Sequence, residues 1–145
     1  MKRERIRSVS SRRGGPARID CIFVNGDPIQ PGFPRLHAAR VLLFFSFKYG
    51  SQITFPCALV TWFSPVGDEP CPDTGMWIVE PDVDRNGQRV KEVIHLDAMV
   101  RNAHLLGVPG DSYIPCDLEH TDTLDAFEAF YINKYADHHA HVLAY

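Results

Sequence analysis

Three groups of side chains in this sequence have types and spacings that could do chemistry. The first is Asp137-His138-His139-Ala140-His141. On a helix, His138 and His141 are i, i+3 neighbours and Asp137 lies four residues before His141, so two or three ligands could reach one transition metal. The plain alternative is a helix end whose imidazoles sit favourably against the negative end of the dipole. No companion cysteine or carboxylate motif lies upstream, so no metal is assigned. The second group is aromatic: Tyr49, Trp62, Phe63 and Trp77 fall at or near predicted strand ends. Such rings can form a cage that holds methyl-lysine by cation–π attraction, and Asp68, Glu69, Asp73 and Glu80 would suit a cationic ligand. The alternative is ordinary core tryptophan and phenylalanine. The third group is a basic leader with Arg3, Arg5, Arg7, Arg12 and Arg13, able to meet phosphate or to serve as a nuclear-import address. Its plain reading is a solvated, disordered tail over residues 1–16.

Other chemistries find little support. There is no GxSxG elbow, no P-loop and no GxGxxG. Cys21, Cys57, Cys71 and Cys116 stand 36, 14 and 45 residues apart, with no CxxC pair for structural zinc. Cys57, inside an apolar run, reads as a small buried hydrophobe. The carboxylates of GDEP and PDVD sit in proline-rich loops where exposed acids are commonplace. The expectation is a non-enzyme with no cofactor.

These residues must be positioned by a small β domain. Residues 40–63 (RVLLFFSFKYGSQITFPCALVTWF) hold two β-branched and aromatic runs separated by a polar, glycine-bearing break, which predicts a long hairpin of residues 36–47 and 53–63. On its second strand Ile53, Phe55, Cys57, Leu59, Thr61 and Phe63 point one way, and Thr54, Pro56, Ala58, Val60 and Trp62 the other. Neither face is polar, so both should be covered, one by a barrel interior and one by a helix or partner. Pro56 implies a bulge or an edge. A first strand is predicted over residues 17–24 and a turn-rich connector over 25–34. A short strand over 76–80 should be followed by an Asn86-Gly87 turn and an antiparallel return over 89–95. Asp97 is a candidate N-cap for one helical turn, and 103–108 reads as a last strand. Residues 122–137 read as a helix, with Leu124, Phe127, Tyr131 and Tyr135 on one stripe and Phe130 beside it. That helix should lie across the second face of the hairpin. The predicted architecture is mainly β (α+β): one SH3-like or BAH-like small antiparallel barrel over residues 17–145, packed by a C-terminal helix.

At 145 residues, with 45% hydrophobic and 23% charged side chains, the chain suits one globular domain. Its net charge of −3 is unevenly spread. Residues 1–20 hold seven basic side chains against Glu4 and Asp20, a net of +5, and the remainder holds eight basic and 16 acidic, a net of −8. An acidic body repels duplex DNA, so nucleic-acid contact is expected only through the tail. No apolar run reaches the ~18 residues of a membrane helix, and no secretory signal is legible. Reduced thiols in an intracellular, nuclear setting are the expectation.

Several stretches resemble a known group. RIDCIFVN, FPCALVTWF, GDEP with DTGMWIVEP, VIHLDAMVRNAHLLGVPG and LDAFEAFYINKYADHHAHVLAY are similar to the terminal region of transposase-like proteins of the Plavaka and KDZ type, abundant in mushroom-forming fungi. The likeness runs from about Ala17 to Tyr145. It implies the C-terminal, non-catalytic module of a larger transposon-encoded protein, whose acidic catalytic residues belong to an RNase H-like core not present in this sequence. No catalytic or binding residue carries across. The leading expectation is therefore a non-catalytic interaction domain that contacts protein partners, of the transposase or chromatin-associated kind. The alternatives are a chromatin or nucleic-acid reader, using the aromatic cage or the tail, and a metal-dependent hydrolase using the terminal histidines.

Overall fold

The computed structural model describes residues 5–9, 18–26, 36–111, 113–119, 122–136 and 138–143. Among these described residues ten strands and two short α-helices follow in order: β1 (Ser8–Val9), β2 (Arg18–Ile19), β3 (Cys21–Asn25), β4 (Leu36–Tyr49), β5 (Ile53–Pro65), β6 (Ile78–Pro81), β7 (Lys91–His95), β8 (Met99–Ala103), β9 (Leu105–Gly107), α1 (Thr123–Ala126), β10 (Phe130–Ile132) and α2 (His138–Leu143). The main sheet runs β8-β3-β4-β5-β6-β10-β9, with β7 also paired to β5. Its two end strands are consecutive in the chain, and His104 alone separates them. One bent segment therefore pairs with β3 through its first half and with β10 through its second, which nearly closes an antiparallel barrel. Asn133 pins that corner: its N–H donates to the His104 carbonyl at 2.9 Å and its Nδ2 lies 2.8 Å from His104 Nδ1.

Strand alternation sorts the apolar residues into two cores. Phe23, Ala38, Phe63, Val79, Leu105 and Phe130 fill the barrel interior, where the Phe63 and Phe130 rings meet edge to face at 5.7 Å. On the other face of β3–β4–β5, Ile22, Val24, Ala39, Val41, Ala58 and Val60 form a second core. Ile94, Ala98, Met99 and Ile6 cover it. Residues 5–9 are therefore not a detached leader. Arg7 N–H donates to Asp20 Oδ2 at 2.8 Å, Asp20 N–H returns to the Arg7 carbonyl at 2.9 Å, and Ser8–Val9 pairs with Arg18–Ile19. The half-buried Ile6 side chain and the pairing of two short strands hold this segment to the sheet beside Arg5 and Arg7.

The long hairpin forms as expected and runs further than expected, with Gly50 at φ 68° in its turn. The Asn86-Gly87 turn also forms, with Gly87 at φ 75°. The strands that flank this second turn do not pair as a hairpin. β6 takes the end of β5 at Phe63–Pro65 and β7 takes its middle at Cys57–Thr61, because β5 is long enough to seat both. A single bridge, Val83 to Arg89, links the flanks. The turn Leu96–Ala98 is a 3-10 turn, and its cap is His95, whose Nδ1 accepts from Asp97 N–H at 3.1 Å, rather than Asp97 itself.

The largest departure is at residues 122–137. Helix persists only over Thr123–Ala126, and Phe130–Ile132 is a strand wedged between β6 and β9. Phe130 and Ile132 are almost wholly buried there, and Leu124 and Phe127 pack against the same interior. The aromatic spacing that fits a helical stripe also fits an alternating Phe130-Tyr131-Ile132 strand. The gap in the barrel wall decides between them, since filling it satisfies two sheet edges at once. The C-terminal helix is the shorter His138–Leu143, with Leu143 against the barrel core.

Candidate interaction surface

β4 and β5 have 14 and 13 residues, while the other strands have two to five. β3 leaves β4 at Arg40 and β7 leaves β5 at Cys57, so residues 43–56 run out as an arm that has β7 beside it at its base and is two-stranded over residues 46–56, roughly 13 Å. A bulge sets the character of this arm. The register slips between Val41 and Leu43, leaving Leu42 as the extra residue, and side-chain parity on β4 inverts there. Before the slip, Ala38 faces the barrel interior. After it, Leu43, Phe45, Phe47 and Tyr49 share one face with their cross-strand partners Leu59, Cys57, Phe55 and Ile53. Val93 of β7, opposite Leu59, extends the row. Phe47 and Phe55 stack at 5.2 Å between centroids.

This face carries no Asp, Glu, Lys or Arg along either strand of the arm, and it is open to solvent. Leu43, Phe47, Tyr49, Ile53 and Val93 are 51%, 48%, 74%, 55% and 52% exposed. Lys48, Ser46 and Thr54 sit on the opposite face. The arm is thus amphipathic, with its apolar side bare. Of the segment expected to cover the hairpin, residues 122–137, Phe130–Ile132 lies in the barrel wall instead.

The comparisons return nothing. No known protein family, curated protein or solved structure matches this chain.

The sites expected from sequence fare differently. The aromatic cage does not assemble. Phe63 and Trp77 are buried in the barrel interior, Trp62 lies on the second face with its Nε1 donating to Glu92 Oε2 at 2.8 Å, and Tyr49 stands at the arm tip. Trp62 and Phe63 are consecutive in a strand, so the pleat sends them to opposite faces. Of the tail arginines, Arg5 is exposed and Arg7 half-buried, while Arg3, Arg12 and Arg13 lie outside the described residues. Asp137 and the side chains of His138 and His139 also lie outside them. His141 is exposed, 6.2 Å from the Tyr135 ring. Among the described residues no group of three His, Cys, Asp or Glu is placed to hold a metal ion, and no helix is long and apolar enough to cross a membrane.

Sequence reasoning missed the arm residues Leu43, Phe47 and Ile53. The signal was present as two strands far longer than their neighbours and apolar on both faces. It also missed a small polar cluster around Cys71. The Thr74 hydroxyl and the backbone N–H groups of Thr74 and Asp73 lower the Cys71 thiol pKa, and the Tyr131 phenol is raised by desolvation and by the neighbouring thiolate. Cys21, by contrast, is pushed up to about 12 by burial. Two shallow concavities lie among the described residues. One of about 240 Å³ is lined by Tyr113, Ile114, Leu118 and Phe127 among others, and one of about 420 Å³ by Ser64, Glu80, Asp82 and Val90 among others. Among the described residues the first lining carries Asp111 and Glu128, and the second Glu80 and Asp82.

Proposed function

We propose that this chain is a non-catalytic protein-interaction module that works in the nucleus as an accessory domain of a transposase-like system, with the projecting β4–β5 arm as its contact face. The observation that carries the reading is the apolar face of the β4–β5 arm, which has no charged side chain on either strand and is uncovered among the described residues. Contiguous apolar patches on monomers rarely exceed about 300–600 Å², and those that approach this size commonly mark contact sites. The five exposed side chains named above reach that range on their own, since an aromatic side chain offers roughly 150–250 Å². The resemblance to transposase-like proteins supports the partner class.

The test is reconstitution with the catalytic transposase-like protein encoded by the same genome. The purified full chain should co-sediment with it, and the double variant Phe47→Ser/Tyr49→Ser should not, while keeping the parent circular dichroism spectrum. Binding at full strength by the arm variant, or none by the parent, overturns the proposal.

A further inference from the structure

The geometry points to a second binding site, for a basic peptide segment with an apolar side chain beside its lysine or arginine, in the concavity of about 240 Å³ between residues 108–118 and 126–128. It shares no residue with the arm, so it stands or falls apart from the reading above. The site is built where the chain leaves the barrel. Pro109-Gly110 follows the end of β9, and Val108 N–H donates to the Ala129 carbonyl at 2.9 Å, which holds the departing chain against the segment after α1. Leu118 N–H donates to the Pro115 carbonyl at 3.2 Å and turns the loop back. Phe127 supplies a fixed wall. Its ring meets Phe130 edge to face at 6.3 Å and lies over Gly107, where a Cβ would come within 2.5 Å. Ile114 and Leu118 continue the apolar lining, and Tyr113, almost wholly exposed, completes it.

Charge selects the occupant. Asp111 and Glu128 belong to the lining, both are exposed, and neither has an ion-pair partner among the described residues. Between Arg101 and Lys134 the chain holds six carboxylates and no lysine or arginine. Among the described residues only Asp125 of these is neutralised, by Arg40 at 2.8 Å, and it lies outside the lining. A phosphate-bearing strand is repelled by such a surface, and a neutral peptide leaves both lining carboxylates unmatched. A lysine or arginine is drawn to them, and its apolar neighbour can cover Phe127, Ile114 and Leu118. The Tyr113 ring can add a cation–π contact. A solvated acidic face would explain the charges but not the apolar hollow that two of them line. The volume falls below the ~300–1,000 Å³ of sites for drug-sized ligands, so it suits one or two side chains of a peptide rather than a cofactor.

A positional-scanning hexapeptide library on beads, probed with the fluorescently labelled full chain, tests this. Lysine or arginine should be enriched next to leucine, isoleucine or phenylalanine, and aspartate and glutamate should be depleted. The best peptide, measured by fluorescence anisotropy, should bind about tenfold or more weakly to the double variant Asp111→Lys/Glu128→Lys. Its affinity for the parent should fall about threefold or more from about 50 to about 500 mM salt, and that fall should shrink in the double variant. Tyr113→Ala/Ile114→Ser, at two exposed positions, should weaken binding about fivefold or more and leave the salt dependence intact. No enrichment, enrichment of acidic residues, or binding indifferent to both variants overturns the inference. Lysine or arginine enriched without an apolar neighbour reports mere attraction to an acidic surface and overturns it too. So does binding lost in the arm variant Phe47→Ser/Tyr49→Ser, since the peptide would then sit on the arm.

Discussion

Gly107 is where a single atom matters most. A Cβ built there would lie 2.5 Å from the Phe127 ring, which is held against the barrel core between α1 and β10. Gly107→Ala should therefore destabilise the fold by about 1–3 kcal/mol, read as a lower urea midpoint with an unchanged slope. A second consequence lies in the thiols. The Thr74 hydroxyl donates to Cys71 and accepts from Met76 N–H at 3.2 Å, which fixes its direction. A lowered pKa keeps the Cys71 thiolate populated to lower pH, because these donors stabilise the charged form. Thr74→Val removes one of them at constant shape, so the pH midpoint of Cys71 alkylation by iodoacetamide should rise. Cys21, with its thiol pushed to about 12 by burial, should stay unlabelled in the native protein throughout that titration. Mass mapping of alkylated peptides checks both.

The elements show what the sequence could and could not convey. The hairpin was legible because Leu42-Leu43-Phe44-Phe45 and Ile53–Phe63 carry β-branched and aromatic runs around a Gly50 turn, a local signal. The Asn86-Gly87 turn was legible for the same reason. The partners of β6 and β7 were not, because pairing is a choice among edges and β5 offered room for both strands. The helix expected over residues 122–137 failed where a tertiary demand overrode a periodic pattern: Phe130 and Ile132 complete the barrel wall. The aromatic cage failed on elementary pleat geometry at Trp62 and Phe63. Residues 5–9 illustrate the converse, a local composition overridden by one half-buried side chain and a short strand pairing. Ile6 is packed against the second core, so Ile6→Ala should cost about 1–2 kcal/mol in chemical denaturation, a fraction of a full core truncation because the side chain is half-buried. A leader free in solvent would show no change.

At the scale of the molecule, the chain is a nearly closed antiparallel barrel with two apolar faces, one enclosed and one roofed by β7, the 3-10 turn and Ile6. Closure depends on the segment 99–107 turning the corner at His104 and on β10 filling the remaining gap. That placement takes Phe130 and Ile132 into the wall and leaves the arm uncovered among the described residues, so the interaction surface follows from the barrel topology. The central claim is thus that residues 130–132 are a barrel strand. Nuclear Overhauser contacts measured on the labelled full chain test it most directly. The account predicts cross-strand contacts from Phe130 to both Val79 and Gly107, and from Ile132 to Leu105. Unbroken sequential amide–amide contacts from residue 122 through 137, with none to Val79 or Gly107, would contradict it.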